Sequence, residues 1–410
     1  MHGSELVIPT WFWVVFLFAI GCCVGSFLNV VIYRIPREKS LVKPPSSCPS
    51  CGRHIQFYDN IPLISWLLLG GKCRYCKARI SPRYFVIELI TGLVFVGIFV
   101  LYFNSGLRHG IPGFLSGGWI LYVISVVMLS ALIACSAIDL ELWIIPLSIC
   151  WVATLAGLIG GTIAPYIIHP ATIRHYFLLP TTFDFVFISP TKIAALSAGG
   201  LIGLLISLFL LFTGILKRSY EISENENSSE NQQNKKDLNT HPVETDFPQT
   251  EGQFNDRIEM AREIIFLLPI IICAIAASWF LDRYSGLNQW WSQFLQIPGI
   301  EGFIGSLTGY FFGCAIVWAI RIFGTLAFGK EAMGLGDVHL MGAAGTVIGP
   351  LFIIVAFFIA PFFGLMWAAI QMLSKKTRQI PYGPFLSLGI LIVMIFHDKI
   401  IDYLKIVYGR

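Results

Sequence analysis

The sequence predicts an all-α polytopic membrane protein of about 9–10 membrane segments, with a small cytosolic zinc-ribbon-like loop domain. Three observations predict it. The 410 residues are 56% hydrophobic and only 13% charged, where a soluble protein carries about 25% charged residues. Apolar windows of about 20 residues, the length that spans a bilayer as a helix, recur along the chain. Two C-x-x-C pairs interrupt this pattern inside a basic segment.

The windows are Trp11–Ile32, Phe85–Phe103, Trp119–Ile138, Trp143–Ile163, Ile193–Leu216, Ile264–Leu281, Phe303–Ile320, Leu351–Leu373 and Phe385–Ile401. A shorter run, Val338–Ile348, ends at Gly349-Pro350. As a helix it rises about 17 Å against about 30 Å of hydrocarbon, so it reads as a tilted short span or a re-entrant piece. The first run has no basic region before it and reads as a span, not as a cleavable signal.

Basic residues orient the spans. Ten Lys and Arg lie between Arg34 and Arg83. Further cations are Lys217, Arg218, Lys235, Lys236, Arg257 and Arg262, then Lys375, Lys376 and Arg378. The intervening loops hold Arg108, Arg174 and Arg283. Alternation places the N-terminus outside and the three basic segments in the cytosol. The expected organisation is a first span (1–33), a cytosolic tetracysteine loop domain (34–83), and spans leading to and from Asp139 (84–164). An external loop with an extra span (165–216), a disordered cytosolic linker (217–262) and a second membrane domain (263–410) follow. Residues 219–256 have almost no large apolar side chain to drive ordering.

Ten cysteines are present. Cys22, Cys23, Cys135, Cys150, Cys273 and Cys314 lie in apolar runs and read as small core residues. Cys48-Pro-Ser-Cys51 and Cys73-Arg-Tyr-Cys76 form two knuckles. Two residues between cysteines let both thiolates reach one tetrahedral ion. Disulfides rarely persist in the cytosol, so a structural Zn2+ on Cys48, Cys51, Cys73 and Cys76 is expected. Four thiolates leave no open coordination position. His54 lies outside the knuckle spacing.

Asp139 and Asp337 each end a long apolar run, where a carboxylate is costly and a functional role is the default reading. Counting crossings puts both on the cytosolic face. Asp337 stands in Gly334-Leu335-Gly336-Asp337. Gly334 and Gly336 permit backbone geometry and close approach that other residues forbid. A solvated helix end is the plain alternative for either aspartate alone.

GSFLNVVIYRIP at 25–36, CPSCGRHIQFYDNIPLISWLLLGGKCRYCKARISPRYFVIELITG at 48–92, the Asp139 segment, MGLGDVHL at 333–340 and IPYGPFLSLG at 380–389 occur in this order. Together these blocks resemble the type IV prepilin peptidases, membrane aspartyl proteases of the GxGD group. The resemblance implies catalytic roles for Asp139 and Asp337. It implies removal of the basic leader from prepilins and pseudopilins at the cytosolic face of the bacterial inner membrane. It also implies methylation of the new N-terminus with S-adenosylmethionine as donor. Glu88, at the cytosolic start of its span, is a candidate contact for leader or amine, or equally a first-turn carboxylate favoured by the helix dipole. Pro381-Tyr382-Gly383-Pro384 reads as a turn on the active side.

Partners are then the pilin substrates and the bilayer, with no nucleic acid. The chain departs from the pattern at Pro146-Leu147, where the family often has an aspartate, and at His339, where lysine is usual. Residues 165–300 add two spans. A non-catalytic scaffold docking through its zinc ribbon and a different GxGD intramembrane protease are the competing readings.

Overall fold

The computed structural model describes residues 9–168, 189–216, 256–373 and 381–407. In chain order its helices are α1 (Thr10–Arg34), α2 (Ile64–Leu68), α3 (Pro82–Phe103), α4 (Trp119–Leu142), α5 (Leu147–Ile167), α6 (Pro190–Phe212) and α7 (Asp256–Arg283). Then come α8 (Ser285–Phe294), α9 (Pro298–Phe328), α10 (Leu335–Ile348), α11 (Pro350–Leu373), α12 (Gly383–Ile395) and α13 (His397–Val407). Among the described residues, eight helices are long and apolar enough to cross a membrane, or nine if α12 and α13 count as one bent span. The all-α membrane class expected from composition is what is observed.

Several boundaries differ from expectation. The run Phe385–Ile401 breaks after Ile395 with a 76° bend. His397-Asp398-Lys399 is polar, so the chain turns there and continues as the amphipathic α13. Helix α7 begins at Asp256, inside the segment read as linker, with Glu259 and Met260 buried in its first turns. Most of that linker, with Lys217, Arg218, Lys235 and Lys236, lies outside the described residues, as do Arg174 and the Lys375–Arg378 cations. Asp139 sits inside the last turn of α4 and not after it.

The chain forms two compact units. In the larger one, glycines set the helix spacing. A Cβ on Gly21 would stand 2.8 Å from the Gly92 Cα, and one on Gly25 would stand 2.7 Å from the Glu88 Cα, so α1 lies directly on α3. Gly157 and Gly161 of α5 face Thr346 and Ser306, and Gly309 and Gly313 of α9 face the carbonyls of Gly345 and Met341. Small residues allow this backbone approach in membranes, where packing and not water drives association. The result encloses α10. From Asp337 to Ile348 every residue but His339 is buried. The far end of α10, Val347 and Ile348, lines a small cavity with Tyr102, Ile124 and His397, at the end of α3 and α4 remote from Asp139.

The smaller unit comprises residues 195–285 and 318–333. Gly199 and Gly203 of α6, four apart, meet α7 at Ala274 and Ile270. Its polar centre is Arg321, 1% exposed. The guanidinium donates to both Glu263 carboxylate oxygens at 2.8–3.0 Å. It also donates to Glu331 and to the Met333 carbonyl. Trp318 donates to Glu263 at 3.1 Å. Removing one partner of a buried pair leaves the other charge uncompensated, at a cost of roughly 3–5 kcal/mol. Arg321→Leu is therefore expected to lower the thermal midpoint of the detergent-solubilised protein clearly. Glu263→Gln, which keeps an acceptor oxygen, is expected to lower it less. Equal midpoints for Arg321→Leu and the parent would show that the network contributes little.

Candidate active and metal-binding sites

The two cysteine knuckles are one structure built twice, offset by 25 residues. Cys48 donates its amide to the Arg53 carbonyl at 2.9 Å, and Cys73 donates to Ala78 at 2.9 Å. Gly52 donates to the Cys48 carbonyl at 2.8 Å, and Lys77 to Cys73 at 3.0 Å. A single antiparallel bridge closes each loop, Ser47 with His54 and Lys72 with Arg79. The left-handed position falls on Gly52 (φ 70°) in the first knuckle and on Lys77 (φ 60°) in the second. His54 thus occupies a pairing position, and the cluster is formed by the cysteines. The Sγ atoms of Cys48, Cys51, Cys73 and Cys76 lie within 4.8 Å of one another, close enough to hold one metal ion.

Backbone amides prepare the sulfurs for this. The amides of Cys51 and Ser50 point at the Cys48 sulfur and bring its pKa down to about 6. Those of Cys76 and Tyr75 lower Cys73 in the same way. Stabilising the thiolate stabilises the form that binds metal.

The segments that carry the two aspartates come together around one turn. Asp139 is buried, and the helix that carries it ends where Trp143 turns left-handed (φ 60°) and donates its amide to the Asp139 carbonyl at 3.1 Å. The Asp139 carboxylate accepts the Gly383 amide at 2.9 Å. That amide is one of the donors left open at the start of α12, so the carboxylate also meets the positive end of a helix dipole. A Cβ on Gly383 would lie 2.8 Å from Asp139 Oδ2, so only glycine allows this approach. One turn deeper, Ser136 donates to Ser387 at 2.9 Å and ties the same two helices.

Asp337 is buried in the first turn of α10, with Gly334 as its extended N-cap. Its neighbour is Tyr382, whose phenol is pushed up to about 12 by burial and then by the charge of Asp337. Ile145 closes the arrangement: a Cβ on Gly336 would stand 2.6 Å from the Ile145 Cβ, and one on Gly383 would stand 3.2 Å from its Cδ1. Residues 190 and more apart in sequence thereby converge on Tyr382-Gly383, with Asp139 on Gly383 and Asp337 beside Tyr382. Tyr382, Gly383 and Ile145 were not singled out as site residues from sequence. The turn composition of 381–384 was the available signal.

Glu88 lies in the α1–α3 seam. It is buried, accepts the Leu63 amide at 2.8 Å and is hydrogen-bonded by Ser26. Asn29 donates to the Tyr84 carbonyl at 3.1 Å across the same α1–α3 seam. Arg34 donates to the carbonyls of Ser40 and Pro44 at 2.8 and 2.6 Å and shapes the loop after α1. His339 lies 3.5 Å from the Tyr310 hydroxyl and near the Trp151 ring.

Comparison with known proteins bears out the resemblance. Residues 19–102 match the family model described as the bacterial peptidase A24 N-terminal domain. The chain is 45% identical over 145 residues to a prepilin leader peptidase/N-methyltransferase of Myxococcus xanthus, covering 35% of this chain and 39% of that protein. It is 40% identical over 140 residues to a type 4 prepilin-like proteins leader peptide-processing enzyme of Escherichia coli, covering 30% and 46%. It is 38% identical over 161 residues to a prepilin leader peptidase/N-methyltransferase of Klebsiella pneumoniae, covering 38% and 64%. The chain thus spans less than two thirds of the length of these relatives. No solved structure matches it.

A side chain at position 336 must displace Ile145 and with it the turn between α4 and α5. Overpacking of this kind costs about 1–3 kcal/mol. Gly336→Ala is expected to lower the thermal midpoint of the purified protein while leaving its bound metal unchanged. An unaltered midpoint would mean that the turn yields without strain.

Proposed function

We propose that the chain is a membrane aspartyl endopeptidase of the prepilin peptidase kind, cutting the basic leader from type IV prepilins or pseudopilins at the cytosolic face of a bacterial inner membrane. The observation that carries this reading is the shared turn: two buried aspartates, nearly 200 residues apart in sequence, border consecutive residues Tyr382 and Gly383. The names of the relatives supply the reaction class. The basic segments supply the orientation, with the N-terminus outside and both aspartates inside.

In this reading the two carboxylates act as a pair that shares one proton. Like charge raises one apparent pKa and leaves the other group ionised, and the titration belongs to the pair. The ionised member takes a proton from the attacking water. The protonated member donates to the scissile carbonyl. Gly334 keeps the approach to Asp337 free of a side chain, so an extended substrate strand can lie against it, while Gly336 lets the start of α10 pack directly on Ile145. The Gly383 amide orients Asp139. The substrate presents a hydrophobic helix with a basic leader, which places its cleavage point at the level of both aspartates.

Methyl transfer is part of the proposal through the relatives' names, with S-adenosylmethionine as the donor such chemistry uses. Glu88, the residue expected to meet the new amine, has its carboxylate committed to Leu63 and Ser26 within the α1–α3 seam. Those bonds serve the α1–α3 seam, and methyl transfer is proposed without an assigned residue. The metal on Cys48, Cys51, Cys73 and Cys76 is proposed to be zinc, held by four thiolates and purely structural.

Two experiments test these assignments. Asp139→Asn and Asp337→Asn are each expected to abolish leader cleavage by purified, correctly inserted protein, with losses of at least a thousandfold; normal processing by either variant would remove the mechanism. Metal analysis is expected to give about one zinc per chain, lost on Cys73→Ser. A protein that carries no metal under thiol protection, or retains it fully after that substitution, would reject the site.

A further inference from the structure

Helix α2 is a single turn and a half, yet its apolar residues are sorted by face. Ile64, Leu67 and Leu68 stand at i, i+3 and i+4 and are 54%, 60% and 82% exposed. The other side is tied inward. Ser65 is buried, donates to the Tyr58 carbonyl at 3.0 Å and accepts the Ile61 amide at 3.1 Å. The Trp66 ring lies 5.1 Å from Phe85 and covers Gly71. In water, an exposed stripe of this kind marks an interaction surface.

The level of α2 identifies what covers the stripe. The Leu63 amide bonds to Glu88, six residues into α3 from Pro82 and therefore about 9 Å along its axis. Arg83, paired with Glu141, is the last charged residue on that side before Glu88. Leu63 itself is held at φ 60°, a conformation uncommon for a bulky side chain, and the bond to Glu88 is what the strained residue gains. The start of α2 thus lies beside the second turn of a membrane-spanning helix, deeper than Arg83. The helix it lies beside also carries exposed apolar side chains, Val86, Ile90 and Leu93. The chain that follows α2 is basic, with Lys72, Arg74 and Arg79 exposed, which suits anionic headgroups.

We propose that α2 is a re-entrant element seated in the bilayer, with lipid covering Ile64, Leu67 and Leu68, and that it fixes the metal-binding loop to the membrane surface. Asp59, just before α2, accepts from Arg74 of the second knuckle at 2.5–3.0 Å. The inserted turn and the metal site are therefore mechanically joined. This differs from a loop lying wholly in the cytosol, and it is independent of the peptidase reading, because it concerns only where the turn sits.

The test uses the full chain in vesicles of phosphatidylethanolamine and phosphatidylglycerol. A fluorescent amino acid is placed at Leu67, at Leu68, at Ser50 in the first knuckle as an aqueous reference, or at Leu93 as a lipid-facing reference. Quenching by nitroxide lipids is compared with quenching by aqueous iodide, and bound metal is measured to confirm folding. At Leu67 and Leu68 the ratio of lipid to iodide quenching is expected to exceed that at Ser50 at least threefold and to approach that at Leu93. Iodide quenching equal to that at Ser50 overturns the proposal. So does shielding from both quenchers, which would put protein over the stripe. Shielding from iodide that appears only when a prepilin is added would likewise assign the surface to substrate and overturn it. If one labelled position impairs folding, Ile64 gives the same reading.

Discussion

Everything in the larger unit depends on enclosing a short helix within apolar surroundings. Fourteen residues of α10 rise about 21 Å, less than the hydrocarbon thickness, and Asp337 sits in its first turn. Lipid cannot satisfy the open amides and the carboxylate of such an element. Protein has to surround it. The sequence meets this by removing side chains where backbones must touch, at Gly309, Gly313 and Gly345, and where a backbone receives a neighbour's side chain, at Gly157 and Gly342. Each glycine costs conformational entropy on folding. In return α5 and α9 approach closely enough to bury α10 on nearly every side, and the site at its start inherits that rigidity.

The class of fold was legible because hydrocarbon imposes a length on every crossing helix, and charge is excluded over that length. The cysteine pattern was equally legible, since C-x-x-C fixes local geometry without help from the rest of the chain. Helix ends were less so. Pattern alone placed Asp139 after α4, while the left-handed Trp143 extends the helix past it. The run from Phe385 read as one span because its polar end, His397-Asp398-Lys399, is short. Gly383, Tyr382 and Ile145 escaped notice for another reason. Their importance arises from contacts across more than 200 residues in one case and almost 200 in another, and no local spacing encodes those. Glu88 shows the same limit: sequence places it at the cytosolic start of its span, and its hydrogen-bond donor there is a backbone amide 25 residues earlier that no local pattern reveals.

The smaller unit follows the same physics with different means. Its α6–α7 contact uses a Gly199–Gly203 pair, while its centre is charged. A guanidinium in such a place needs acceptors on every side, and Arg321 finds them in Glu263, Glu331 and the Met333 carbonyl. The last of these is the residue that precedes Gly334 in the chain.

The bond from Gly383 to Asp139 joins chemistry to architecture. A carboxylate is a stronger acceptor than a carboxylic acid, and the donor here is the first amide of α12. A proton placed on that oxygen would therefore loosen the start of α12, and a carboxylate there holds it, so the one bond ties the seating of the helix to the charge state of a single side chain.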